Sequence, residues 1–132
     1  MNIAIWGAGK FGTFMGKQLK EKQSIVCYID NCAQDIDDKM GIEVVTPTEY
    51  MRCYAQKVDM LLVAVRDCNA IYEQIRKMNI KKYGMISKLV YDQKLSVSDD
   101  ILKDVNILYN DELESKAIHM KKLETNVWIF AI

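Results

Sequence analysis

The chain has 132 residues, 50% of them hydrophobic and 27% charged, with one proline and no apolar run long enough to cross a bilayer as a helix. Lysine plus arginine and aspartate plus glutamate each number 18, so no net field draws the chain to a nucleic-acid backbone or an anionic membrane, and neither partner is expected. The opening MNIAIWGAGK has no signal-peptide apolar region or cleavage site, which makes the cytoplasm the expected compartment and free thiols the expected state of Cys27, Cys32, Cys53 and Cys68.

Asn2 to Trp6 is a short apolar run ending at Gly7, which reads as a strand buried on both faces. Phe11, Phe14, Met15 and Leu19 then recur at helical spacing and predict an amphipathic helix over 11–22. Ser24 to Ile29 is a second strand, stopped by the turn-forming pair Asp30-Asn31. Cys32 to Met40 carries acids and amides without a helical stripe and reads as an exposed loop reaching Gly41. Ile42 to Val45 is a short strand, and Thr46-Pro47-Thr48-Glu49 supplies a proline and a capping hydroxyl for a short helix. Met60 to Val65 is a central strand, Asn69 caps a helix bearing Ile71, Tyr72, Ile75 and Met78, and Tyr83 to Ile86 is a fifth strand. Strands alternate with helices to about residue 88, the pattern of a doubly wound parallel sheet of about five strands.

The composition changes beyond that point. Ser87 to Asp100 is polar and weakly patterned, Ser98-Asp99-Asp100 is placed to cap a helix carrying Ile101 to Leu108, and a further helical stretch is expected over 111–122. The chain closes on Val127 to Ile132, six apolar residues whose free exposure would invite aggregation, so they are expected to dock on the sheet or to build a two-fold dimer. Two regions follow: 1–88 as the ligand-binding domain, and 89–132 as a helical and extended tail with a role in oligomerisation.

Gly7-Ala8-Gly9-Lys10-Phe11-Gly12 is a G-x-G-x-x-G sequence placed where a strand ends and a helix begins. The first glycine permits the turn, the second lets a pyrophosphate reach the backbone, and the third lets helix and strand pack closely. The helix start offers free N–H groups to anionic oxygens. Asp30, at the end of the second strand, is placed to accept hydrogen bonds from an adenine ribose, with Asn31 beside it, which favours NAD over NADP. Arg66 follows the central strand at the edge where such sheets hold ligands and is a candidate partner for a phosphate or a sugar carboxylate. The competing account gives the glycines a purely structural task and leaves Arg66 solvated.

Other chemistry finds little support. Cys68 near a helix start has no identifiable base, the cysteine spacings match no zinc motif, and His119 stands without a positioned acid. No tyrosine has a lysine four residues on, as short-chain dehydrogenases require.

On IAIWGAGKFG, VCYIDN, GIEVVTPTEY and VDMLLVAV, the first 88 residues resemble the compact Rossmann domains of bacterial surface-polysaccharide enzymes. These include the N-terminal domains of sugar O-acyltransferases and of membrane-linked nucleotide-sugar dehydratases. The resemblance implies a module that binds NAD or a nucleotide sugar through Gly7, Gly9, Gly12 and Asp30. The acyltransferase repeats or second catalytic domain of those families have no counterpart in this sequence. HMKKLETNV in the tail resembles the lead-in to the cysteine cluster of radical S-adenosylmethionine proteins, but the C-x3-C-x2-C cluster is missing.

The expectation is therefore a nucleotide-binding module, for NAD or a nucleotide sugar, without a complete catalytic apparatus. Its site is drawn from Gly7, Ala8, Gly9, Lys10, Phe11, Gly12, Asp30, Asn31 and Arg66, it holds no metal, and it belongs to a homodimer. The alternatives are a small NAD-dependent oxidoreductase or other nucleotide-sugar-modifying, epimerase-like enzyme, and a regulatory module that has lost its ligand.

Overall fold

In a computed structural model, which describes residues 1–80, 83–86, 89–92, 94, 119–122 and 128–131, the first apolar run forms strand β1 (Asn2–Trp6). Helix α1 (Lys10–Leu19) follows, and ends short of Lys22 because the Lys22 and Gln23 amides both donate to the Leu19 carbonyl and turn the chain into β2 (Ser24–Ile29). The stretch after β2 is largely loop, as its composition predicts, apart from a 3-10 turn over Ala33–Asp35 that buries Ala33. Met40 and Gly41, both at positive φ, then form a tight turn closed by reciprocal hydrogen bonds between Lys39 and Ile42.

Strand β3 is shorter than its sequence suggests, only Val44–Val45. Helix α2 (Pro47–Glu49) starts where Thr46 accepts a hydrogen bond from the Glu49 amide with proline at the first helical position, and continues as a π-turn, Tyr50–Tyr54, and a 3-10 turn, Ala55–Lys57. Strand β4 (Met60–Val63) leads to α3 (Cys68–Lys77), whose N-cap is Asp67 rather than Asn69. Strand β5 (Tyr83–Ile86) precedes α4 (Leu89–Asp92), a short helix inside the stretch expected to be unpatterned.

The expected helix over 101–108 lies outside the described residues. The helical stretch expected to reach residue 122 is corrected at its end: His119–Lys122 is strand β6, so His119 is a strand residue and not a helix residue. β6 pairs antiparallel with β7 (Trp128–Ala131), and β7 pairs antiparallel with β5, Met85 opposite Phe130. The apolar tail, expected either to dock or to build a dimer, thus joins the sheet of its own chain.

The sheet order is β3-β2-β1-β4-β5-β7-β6, with the first five strands parallel. This is a Rossmann-like α/β sheet, extended by two antiparallel strands. Alternation along β1 sends Ile3 and Ile5 into the core beneath α1, with Met15 and Leu19, while Ala4 and Trp6 enter the opposite core with Tyr50 and Ile75. A bulge between Ile3 and Ala4 keeps β2 in step, so Tyr28 packs on the α1 side and Cys27 and Ile29 on the other. A β-carbon at Gly16 would lie 1.9 Å from the Tyr28 hydroxyl oxygen, so the missing side chain there lets α1 settle on β2. β1 and β4 lie side by side at the centre of the sheet, which brings the Gly7 turn and the residues after β4 to one carboxyl edge.

Candidate functional site

Each glycine of the loop has its own reason to be there. Gly7 has φ +120°, and a β-carbon on it would stand 2.4 Å from the Ala64 carbonyl oxygen. A β-carbon on Gly12 would lie 1.6 Å from the Gly7 carbonyl oxygen, so the start of α1 can cross the end of β1 only without one. Gly9, the N-cap of α1, has φ −82° and ordinary extended backbone, and nothing lies within 4 Å of the β-carbon it lacks. The fold makes no steric demand at Gly9; the space beside it is open.

Asp30 is held by the loop it was expected to serve. Its Oδ2 accepts from the Ala8 amide at 3.2 Å and its Oδ1 from the Cys32 amide at 2.9 Å, while the Gly7 amide donates to the Ile29 carbonyl at 2.8 Å. The carboxylate therefore ties the glycine loop to the loop after β2, and each oxygen keeps one further acceptor position for a hydroxyl. Asn31 is committed elsewhere: its side-chain amide and that of Gln74 on α3 exchange two hydrogen bonds, at 3.1 and 2.8 Å.

Arg66 follows β4 and meets α4. Its guanidinium makes a two-pronged contact with the Asp92 carboxylate, Nη1 to Oδ2 at 3.3 Å, and lies 5.7 Å from the centre of the Tyr91 ring. Tyr91 stacks on Phe11 at 5.9 Å and meets Phe14 edge-on at 5.7 Å, so α4 is anchored to the start of α1 through aromatic contacts. Lys94 Nζ stands 3.2 Å from the Tyr91 ring centre.

These residues enclose an open cleft of about 600 Å3 at the carboxyl edge of β1 and β4. Gly7, Gly9, Lys10, Phe11, Asp30 and Arg66 line it, together with Ala64, Val65 and Tyr91. Ala8 lines an adjoining cleft, Gly12 lies behind the wall, and Asn31 lines neither. The sequence reading missed Tyr91 and Asp92, whose only signal was the short Leu-Val-Tyr triplet inside a polar stretch. Among the described residues no group of three or more His, Cys, Asp or Glu side chains is placed to hold a metal ion, and no helix is long and apolar enough to cross a membrane.

The chain matches no known family and no curated protein in sequence. Its fold is similar to that of UDP-D-quinovosamine 4-dehydrogenase from Vibrio fischeri, with a TM-score of 0.58 and 23% identity over 76% of this chain and 96% of the other. It is also similar to RSP, a Rex-family repressor, with a TM-score of 0.52 and 16% identity over 88% of this chain and 62% of the repressor. RSP in complex with β-NADH gives a TM-score of 0.51 at 17% identity, over 87% of this chain and 63% of that one. At such identities the likeness establishes a shared Rossmann-like architecture.

Proposed function

We propose that the chain is a nucleotide-binding module that seats the pyrophosphate of NAD or of a nucleotide sugar over Gly7–Gly12. Gly9 carries this reading. Gly7 and Gly12 are explained by contacts inside the protein, but at Gly9 nothing would obstruct a side chain, and Ser, Asp or Asn would cap α1 as well or better. A bare position at the mouth of a cleft, at a helix start with unpaired amides, is what close approach of an anionic ligand requires.

Asp30 then accepts from ribose hydroxyls through the acceptor positions left by Ala8 and Cys32, and Lys10 and Arg66 supply positive charge to the phosphates. The fold neighbours support both ligand classes, one being named for a UDP-sugar and the other being bound to β-NADH. The module is read as a binder, with no catalytic role assigned to the described residues of the cleft. A role in surface-polysaccharide biosynthesis rests on the sequence resemblance alone.

Calorimetry with NAD, NADP and UDP-sugars tests the reading. Wild-type protein is expected to bind one of them, and Gly9→Val to lose that binding while melting as the wild type does. Absence of binding by the wild type would leave the glycines a structural task only.

A further inference from the structure

A second cleft, of about 420 Å3, adjoins the first and shares Gly9, Lys10 and Tyr91 with it. Its other walls are Ala8, Thr13, Phe14, Lys17 and Lys39. Lys10, Thr13, Phe14 and Lys17 lie at i, i+3, i+4 and i+7 on α1, one stripe of that helix. Lys39 comes from the loop after β2, where its backbone is fixed by the paired hydrogen bonds to Ile42, 2.9 and 3.0 Å. Lys94 caps the aromatic wall, with Nζ 5.2 Å from the Phe14 ring centre.

Among the described residues no carboxylate lines this cleft, although acids and bases are equal in number along the chain. Asp37 and Asp38 precede Lys39 in sequence, yet neither is among the lining residues, and Lys10, Lys17 and Lys39 form no ion pair among the described residues. Lysines brought together without counter-charge repel one another, a cost that a bound anion removes. Three lysines lining one cleft from two elements suit a dianion with several acceptor oxygens better than a single carboxylate.

We infer that this cleft is a phosphate site, taking a phosphomonoester dianion between Lys10, Lys17 and Lys39. The phosphate is carried on a separate small molecule bound beside the nucleotide, since the clefts meet at Gly9 and neither NAD nor a nucleotide sugar bears a phosphomonoester. The inference goes beyond the pyrophosphate seat, which needs neither Lys17 nor Lys39.

Inorganic phosphate is the direct probe, titrated into 15N-labelled full-length protein and followed by amide shifts. Saturable shifts are expected at Gly9, Lys10 and Thr13, and the double variant Lys17→Ala/Lys39→Ala should weaken the affinity at least fivefold. A control pair of exposed lysines outside the cleft, Lys57→Ala/Lys77→Ala, should leave it unchanged. No saturable shift, or equal weakening in both double variants, would overturn the site. Repeating the titration with NAD or NADP tests the source: binding alongside either is expected of a separate molecule, and displacement by NADP alone would overturn it by showing a phosphate carried on the nucleotide. Should no nucleotide bind at all, the phosphate titration still decides the second cleft, so the two readings fail separately.

Discussion

The carbonyl oxygen of Gly7 occupies the place a side chain at Gly12 would need, 1.6 Å from the β-carbon position. The two ends of one motif are thus fitted to each other. Backbone cannot yield as a flexible side chain does, so Gly12→Ala is expected to destabilise the domain by at least about 3 kcal/mol, at the upper end of overpacking costs. Gly9→Ala, with open space around it, should change stability by about 1 kcal/mol or less. Urea unfolding of the two variants checks the contrast; equal losses would mean that Gly9 too is held by the fold.

Asp30 joins two loops through two backbone amides, and a change there has structural and ligand consequences together. Asp30→Ala leaves the Ala8 and Cys32 amides without their acceptor and should cost about 1–3 kcal/mol. In the wild type, NAD should bind more tightly than NADP, because a ribose 2′-phosphate would approach the carboxylate. Asp30→Asn keeps one acceptor oxygen and removes the charge, so the preference should narrow. Calorimetry with both nucleotides reads the difference, and an unchanged preference would show that Asp30 serves the loops alone.

Arg66 lines the cleft while paired to Asp92, so a ligand anion has to compete for it. The two side chains are 59% and 34% exposed, and such a pair is worth only about 0.2–1 kcal/mol. The competition is winnable. Asp92→Asn is therefore expected to tighten binding of an anionic nucleotide by up to about fivefold, the factor equivalent to the top of that range, and Arg66→Ala to weaken it. If both substitutions weaken binding, the pair acts by holding α4 in place and not by withholding charge.

The Cys27 thiol is fully buried between β2 and its neighbours, and burial, with the Glu43 carboxylate adding to it, pushes its pKa up to about 12. It stays protonated and unreactive at pH 8. Iodoacetamide should label exposed Cys32 and Cys53 in the native protein and reach Cys27 only after denaturation, as peptide mass mapping will show. Because the folded-state pKa lies above the unfolded value of 9.0, the protonated thiol's contribution is complete below about pH 9 and lost as pH rises towards about 12. Alkaline unfolding should therefore steepen across that window. Rapid native labelling of Cys27 at pH 8 would show that the core opens there.

What the sequence makes legible follows from how local each cause is. The five parallel strands are visible because each is a short apolar run bounded by its own turn residues, and Gly7 and Gly12 because strand, turn and helix adjoin in the chain. Asn69 misleads as a cap because Asp67, a residue of equal capping preference two positions earlier, takes the position, and does so without any side-chain bond. The Asn31 and Gln74 pairing and the Arg66 and Asp92 contact join residues far apart in sequence, and nothing local marks them. The second cleft is hidden for the same reason, since Lys39 meets the α1 stripe only after the loop has folded back.

The apolar tail gives the last prediction. β7 covers the hydrogen-bonding edge of β5, with Gly84, Met85 and Ile86 opposite Ala131, Phe130 and Ile129. Among the described residues β6 lies outside it, and at the opposite edge β3 is only two residues long. Deleting residues 124–132 removes β7 and uncovers a β5 edge whose four residues are all buried, so the melting temperature and solubility should both fall. Sedimentation velocity on the soluble fraction separates this from a role in assembly. The truncated chain is expected to keep the wild-type oligomeric state, because β7 satisfies an edge of its own sheet. A clean conversion from dimer to monomer with no loss of melting temperature would instead assign the tail to a subunit interface.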